Sequence, residues 1–213
     1  MKRLISLFLI LSALASQGQE KRAIPDIEIY SGFDGGWWLY NLGTTNDIYY
    51  NTEGWGRSYA SPSFNFGLSL IWEIKRFQIG AGFDRTWFLE NEMVGAEHAD
   101  RNYDLYKISD GVITCWSYYG MLAFRIAEAR HFSLSPMVRI GGFQIESLHP
   151  EQGNLKNKWY LQAGANLNWD MKKWALVFRP YFRSRHMKPK IGLQNESHTI
   201  IGFGGELGWR WKW

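Results

Sequence analysis

Along most of this chain every second residue is apolar, and that period of two limits the fold more than any other feature. Phe64, Phe66, Leu68, Leu70 and Trp72 alternate with Asn65, Gly67 and Ser69, and Ile71 is the one apolar exception. Phe77, Ile79, Ala81 and Phe83 interleave with Gln78, Gly80, Gly82 and Asp84. Trp159, Leu161, Ala163, Ala165, Leu167 and Trp169 alternate with Tyr160, Gln162, Gly164, Asn166 and Asn168. The last run sets Ile201, Phe203, Gly205, Leu207, Trp209, Trp211 and Trp213 against Gly202, Gly204, Glu206, Gly208, Arg210 and Lys212. Successive side chains of a strand point to opposite faces, so these runs predict strands with one apolar and one polar face.

Three short stretches sit between aromatic or aliphatic ends. Trp72 and Phe77 flank residues 73–76, Ile126 and Phe132 flank 127–131, and Trp169 and Trp174 flank 170–173. Long polar connections fall at about 41–57, 90–109, 146–156 and 185–197. Eight strands are predicted, at roughly 26–40, 58–72, 76–89, 110–126, 131–145, 157–169, 173–184 and 198–213. Three short turns and four long loops are the asymmetry of a transmembrane β-barrel. An even strand count puts both termini at the short-turn end. Each run is longer than the ~9–11 residues a tilted strand needs to cross a bilayer. The expected fold class is all-β, an eight-stranded antiparallel up-and-down transmembrane β-barrel, in one domain over 26–213. Pro136 and Pro180 lie inside predicted strands, where a missing N–H predicts bulges.

Composition separates this fold from a soluble sandwich or a lipocalin-like barrel. The chain holds 12 Trp, 11 Tyr, 13 Phe and 22 Gly, yet its mean hydropathy is -0.32. A soluble core would have to bury most of those indoles with every N–H satisfied. In a barrel they sit at the two membrane boundaries. Trp72, Phe77, Phe132, Trp169, Trp174, Trp211 and Trp213 are expected at the periplasmic girdle, and Trp37, Tyr59 and Trp87 at the outer one. The opposite face carries Glu28, Asp34, Asp84, Arg125, Arg139, Arg179, Tyr181, Arg183, Glu206 and Arg210. Turned to hydrocarbon, such charges cost about 2–4 kcal/mol each at the bilayer midplane. Facing one another inside the barrel they can pair. Glu28, Asp34, Asp84, Arg125, Arg139, Arg179, Arg183, Glu206 and Arg210 are therefore the expected lumen ion-pair network. An eight-stranded bore is just wide enough for side chains to fill. The competing expectation is a gated narrow pore, helped by inward Gly80, Gly82, Gly141, Gly164, Gly202 and Gly204.

The first segment is an address. Lys2 and Arg3 precede an apolar run over 4–15, followed by Ala13-Leu14-Ala15 and Ser16-Gln17-Gly18 as small-residue cleavage sites. A secretory signal peptide is expected over 1–18, cut after Ala15 or Gly18. The run is shorter than the ~20 residues a spanning helix needs. After it the longest unbroken apolar run is 174–178, so no spanning helix is expected in the mature chain. Cys115 is the only cysteine, which excludes an intramolecular disulfide, the CxxC zinc and redox patterns and a lipoprotein anchor. Lys plus Arg is 24 against 20 acidic residues; without Lys2 and Arg3 it is 22. So mild an excess gives no reason to expect nucleic acid as a partner.

The last strand carries the most specific signal. Phe203, Leu207, Trp209, Trp211 and Trp213 resemble the C-terminal pattern that the barrel-assembly machinery reads, with Trp at the end where Phe is usual. With the hairpin rhythm, the chain resembles the small eight-stranded outer-membrane proteins of Gram-negative bacteria, the OmpA/OmpX/OmpW-like barrels. The resemblance implies an outer-membrane location with both termini periplasmic. It also implies contact with outer-membrane lipid and lipopolysaccharide, and insertion by the barrel-assembly machinery. The barrel is expected to end the chain, with no periplasmic domain after it. Such barrels serve as adhesins, structural anchors, hydrophobic-solute channels and lipid A enzymes, so the fold alone names no activity.

Lipid A deacylase barrels are similar in size and carry a His-x-Ser pair on a strand. His131-Phe132-Ser133 has that spacing but lies beside a predicted periplasmic turn. Ser184, His186, Glu196 and His198 are the candidates at the outer rim, with Lys188 where a Ser would follow His186. No complete catalytic triad is expected. The acidic residues of the second loop (Glu90, Glu92, Glu97, Asp100 and Asp104, with His98) match no calcium-loop spacing, so neither metal nor cofactor is expected. Arg185, His186, Lys188 and Lys190 give the fourth loop a basic rim suited to lipopolysaccharide phosphates. The expected function is a non-enzymatic barrel with a filled lumen and a structural or interaction role, in surface contact or as an accessory to an envelope protein complex. A narrow small-solute channel and a lipid A-modifying acyl hydrolase are the alternatives.

Overall fold

The computed structural model describes residues 24–41, 58–60, 62–89, 92–99, 102–110, 113–146, 155–189 and 197–213. The signal peptide expected over 1–18 lies outside them, as do the side chains of Trp37 and Tyr59. Every regular element among the described residues is a strand. They are β1 (Asp26–Asn41), β2 (Ser58–Ala60), β3 (Ser63–Ile74), β4 (Phe77–Phe88), β5 (Glu92–Ala99), β6 (Asn102–Asp110), β7 (Thr114–Phe124), β8 (Ala127–Ala129), β9 (Phe132–Ile145), β10 (Leu155–Asp170), β11 (Trp174–Pro189) and β12 (Ser197–Trp211).

Eight of them close into an antiparallel ring in the order β1, β3, β4, β7, β9, β10, β11, β12, and β12 returns to β1. The closing seam is long, running from Ile27↔Trp211 to Asn41↔Ser197. Closure leaves no unpaired edge in the ring. Alternation decides which way each residue faces. In β9, Ser133, Ser135, Met137 and Arg139 are buried inside, while Phe132, Pro136 and Ile140 are exposed outside. In β12, Glu206, Gly208 and Arg210 face in, and Phe203, Leu207, Trp209 and Trp211 face out. The outer surface carries Phe66, Phe83, Leu122, Ile140, Phe178 and Leu207, each close to half exposed. That is the inverse of a soluble barrel, and only a bilayer supplies the apolar surroundings it needs.

Aromatic residues collect at the short-turn end. Phe77, Phe132, Trp169, Trp211 and Trp213 are exposed there. Trp174 stacks on Trp209 at 4.1 Å between ring centroids, and Phe132 on Trp169 at 5.9 Å. The β3–β4 turn closes through Lys75 at φ 56°, a left-handed position.

Four departures from the sequence expectation have local causes. The run predicted over 58–72 is split into β2 and β3, with Pro62, which has no N–H, between them. The second long connection holds its own hairpin, β5 with β6, paired from Glu92↔Asp110 to Ala99↔Asn102. β11 runs on to Pro189, past the strand end expected at 184. The prolines behave differently from one another. Opposite Ser135 and Pro136 the pairing steps from Ala123↔Met137 to Ala127↔Leu134, so three residues, 124–126, face two. The extra residue sits on the neighbouring segment, where Pro136 offers no donor. At Pro180 no bulge forms. Pairing to β10 passes from Gly164↔Tyr181 to Leu167↔Phe178 in unchanged register, and Pro180↔Gly205 holds on the β12 side.

Glycine makes room for one large lumen side chain in particular. A Cβ at Gly67 would stand 2.4 Å from the Tyr30 ring. At Gly120, on the outer face, it would meet nothing within 4 Å. Gly67→Ala is therefore expected to lower stability by about 1–3 kcal/mol through overpacking, and Gly120→Ala by less than about 0.5 kcal/mol. Urea unfolding of the barrel in vesicles, followed by tryptophan emission, checks both.

Candidate functional site

The site is the lumen, built from alternate residues of all eight ring strands, with Asn65 from β3 and Gln162 and Asn166 from β10 among them. β1 supplies Glu28, Tyr30 and Asp34; β4 supplies Asp84; and β9 supplies Arg139. β11 supplies Arg179, Tyr181, Arg183 and Arg185, and β12 supplies Glu206 and Arg210. β7 adds Tyr119. All of these are buried, and Glu28, Asp84, Arg139, Arg179 and Arg210 are 0% exposed.

Two carboxylates organise the centre. Glu206 accepts from Arg139 Nη1 at 2.9 Å, Arg179 Nη1 at 2.6 Å and Arg183 Nη2 at 2.8 Å. Asn65 and Gln162 also donate to it, each at 3.2 Å. Glu28 accepts from Arg179 Nη2 at 2.6 Å and from Arg210 through Nε at 3.0 Å and Nη2 at 2.8 Å. Arg179 thus bridges both carboxylates, and its Nε donates to Asn166 Oδ1 at 2.6 Å. Two of these pairs are direct cross-strand partners, Arg179↔Glu206 and Glu28↔Arg210. Arg139 comes from the far side of the ring, so its bond to Glu206 crosses the bore. Its guanidinium also lies over the rings of Tyr30 at 4.6 Å and Tyr119 at 4.5 Å. A buried charge is tolerable only when an opposite charge meets it, and each of these side chains has at least one oppositely charged partner within 3.0 Å.

Towards the long-loop end the pattern repeats. Asp34 accepts from Arg183 Nη1 at 3.0 Å, Tyr181 at 3.1 Å and Ser63 at 2.5 Å. Arg185 crosses the bore to β4, donating to Thr86 at 2.7 Å and standing 3.6 Å from Asp84. Tyr30 and Tyr119 join hydroxyl to hydroxyl at 2.5 Å, a further link between well-separated strands.

Of the nine residues expected to pair in the lumen, Glu28, Asp34, Arg139, Arg179, Arg183, Glu206 and Arg210 form one connected cluster. Asp84 stands apart with Thr86 and Arg185. Arg125 reaches the cluster at the short-turn rim through Glu73, which stands 3.2 Å from Arg125 and 3.6 Å from Arg210, and it is 3.5 Å from Glu128. Arg185 was expected in a basic solvated loop. Because β11 continues, it stays in phase with Arg179, Tyr181 and Arg183 and turns inward. That i, i+2 series was the available signal. Tyr160 stood in the polar series with Gln162 and Asn166, whereas Tyr30 and Tyr119, also buried, were not singled out by the alternation.

The rim candidates do not converge. Ser184 and His186 lie on the outward face of β11, whereas His198 is fully buried on the inward face of β12. His186 stacks on Trp159 at 5.4 Å, and its Nδ1 is 2.9 Å from Thr199 Oγ1. Glu196 lies outside the described residues. In the other pair, His131 is an exposed turn residue, and the Ser133 hydroxyl donates to Asp170 and accepts from Asn168, each at 3.1 Å. Among the described residues no three His, Cys, Asp or Glu side chains converge as a metal-ligand set. Phe203, Leu207, Trp209, Trp211 and Trp213 all stand exposed on the outer face. The outer girdle holds an arrangement the sequence did not announce. Glu146 accepts from Arg85 at 2.7 Å, from Thr114 at 3.0 Å and from the Trp116 indole, and Arg85 lies between Trp87 and Trp116.

A closed ring of eight strands, apolar without and charged within, is a transmembrane β-barrel of the outer-membrane type. The structure is similar to three solved outer-membrane proteins. The outer membrane protease OmpT of Escherichia coli has a TM-score of 0.43 and 8% identity, covering 91% of this chain and 99% of that one. Neisserial surface protein A has a TM-score of 0.44 and 9% identity, with 84% and 95% covered. OprG of Pseudomonas aeruginosa has a TM-score of 0.42 and 11% identity, with 89% and 96% covered. No family model matches the sequence, and no curated protein does.

Removing one partner of a buried ion pair leaves its partners with an uncompensated buried charge. Glu206→Gln is expected to cost about 3–5 kcal/mol of stability. Arg85→Gln, whose pair with Glu146 is 38% exposed on both sides, is expected to cost at most about 1 kcal/mol. Urea midpoints of the two variants, compared with the parent, check the ranking.

Proposed function

We propose that this chain is a non-enzymatic outer-membrane protein with a closed lumen, working as a structural or interaction module of the cell surface. The observation that carries this reading is the saturation of Glu28 and Glu206 by Arg139, Arg179, Arg183 and Arg210 across the full width of the bore. A conducting pore needs a continuous wet path. Here the path meets bridging guanidinium groups at two levels, Arg139 to Glu206 and Arg185 to Thr86. The hydrolase reading needs a serine and its base side by side, and Ser184 faces away from His198. In this reading both termini are periplasmic and the long loops are outside. Outer-membrane lipid and lipopolysaccharide surround the belt, and the barrel-assembly machinery reads Phe203, Leu207, Trp209, Trp211 and Trp213. An envelope protein is then the partner class for the loops.

The test is conductance in planar bilayers. The wild-type protein is expected to be silent, and the double variant Arg179→Ala/Glu206→Ala to show discrete steps. Regular steps from the wild type would establish the channel reading instead. In parallel, Ser184→Ala is expected to leave the cell's lipid A mass spectrum unchanged. A lipid A species that depends on Ser184 would establish the hydrolase.

A further inference from the structure

The outer belt is not uniform. At the short-turn end, where β7 has stopped and only the three residues of β8 continue, the surface is recessed. Ala127 and Ala129 are small and exposed there, where other strands present Phe, Leu or Trp. The recess is a groove of about 370 Å³ lined by Ala127, Phe132, Leu134, Leu167, Trp169 and Phe178. Its size falls within the ~300–1,000 Å³ of sites that hold small apolar ligands. Its walls are firm: Phe132 and Trp169 stack at 5.9 Å on one side, and Phe178 stands half exposed on the other.

Charge frames the groove at one end only. The turn after β8 carries Arg130 and His131, and the turn after β10 carries Lys172 and Lys173, all exposed. The one acidic residue along the groove, Glu128, pairs with the inward-facing Ser133 and stands 3.5 Å from Arg125, which offsets its charge. A slot lined by hydrocarbon, opening onto the lipid-facing surface and ending at a basic rim, matches an acyl chain joined to a phosphate. We propose that the groove holds one acyl chain of a phospholipid from the leaflet at the short-turn end, with its phosphate against Arg130, Lys172 and Lys173. Lysine and arginine stems lie along apolar surface while their heads meet the phosphate level. The bulge opposite Pro136 is then what makes the site, because it ends the β7 stave early and leaves the recess beside it.

The test is native mass spectrometry of the folded barrel in a neutral detergent with added phosphatidylglycerol. The wild type is expected to retain one lipid per barrel. Ala127→Trp fills the groove from outside and touches no lumen side chain, and is expected to lower retention about tenfold. Lys172→Glu with Lys173→Glu is expected to weaken retention while leaving the groove open. Heat-modifiable gel migration reports whether each variant is folded, and Ala129→Trp fills the same groove should Ala127→Trp fail to fold. Retention of no lipid by the wild type overturns the proposal. So does equal retention by wild type and folded variants, the behaviour of unselective annular lipid. Neither result bears on whether the lumen conducts.

Discussion

The bonds from Arg179 to Glu28 and Glu206 constrain everything else in the molecule. Burying a charge costs several kcal/mol, and one guanidinium can be afforded in a bore this narrow only if carboxylates meet it from neighbouring strands. Here one arginine answers two carboxylates, at 2.6 Å each. Those carboxylates sit on β1 and β12, the two strands that close the ring. The interaction that satisfies the lumen is therefore also the one that ties the seam. Register follows from it. Sliding β11 by one residue would move Arg179, Arg183 and Arg185 to the lipid face and bring Phe178 and Phe182 inside.

The outer surface is the complement of that interior. With most charges inward the belt is mainly apolar, and the aromatic ends of the strands settle where indole can be both apolar and hydrogen-bonded. Inside, Tyr30, Tyr119 and Tyr160 fill the space between ion pairs, and Gly67 leaves room for the first of them. Among the described residues the bore is filled by side chains. The recessed groove by β8 gives the belt shape as well as hydrophobicity.

The strand pattern was legible because a half-buried strand writes its two faces into alternate letters. The ends of β4 and β9 fall within a residue or so of the runs read from Phe77 and Phe132. Inward residues were equally plain where a charge interrupts an apolar alternation, as at Arg139 and Glu206. Three things were not legible. Arg185 stood next to His186 and Lys188, and basic neighbours read as loop although the inward series from Arg179 continued through it. The link from Arg125 to the cluster through Glu73 depends on where β7 ends, which only pairing with β9 decides. The separation of Ser184 from His198 follows from the β11–β12 register, since two strands can share a rim while their side chains face opposite ways.

The most direct test is a double-mutant cycle on Arg179 and Glu206, made from Arg179→Met, Glu206→Gln and the pair together, with unfolding free energies measured in vesicles. If the buried network holds the barrel closed, the two single losses overlap, and the coupling between them is at least about 1.5 kcal/mol. Strictly additive losses would contradict the account, because the two side chains would then contribute independently and the bore would not depend on their bond.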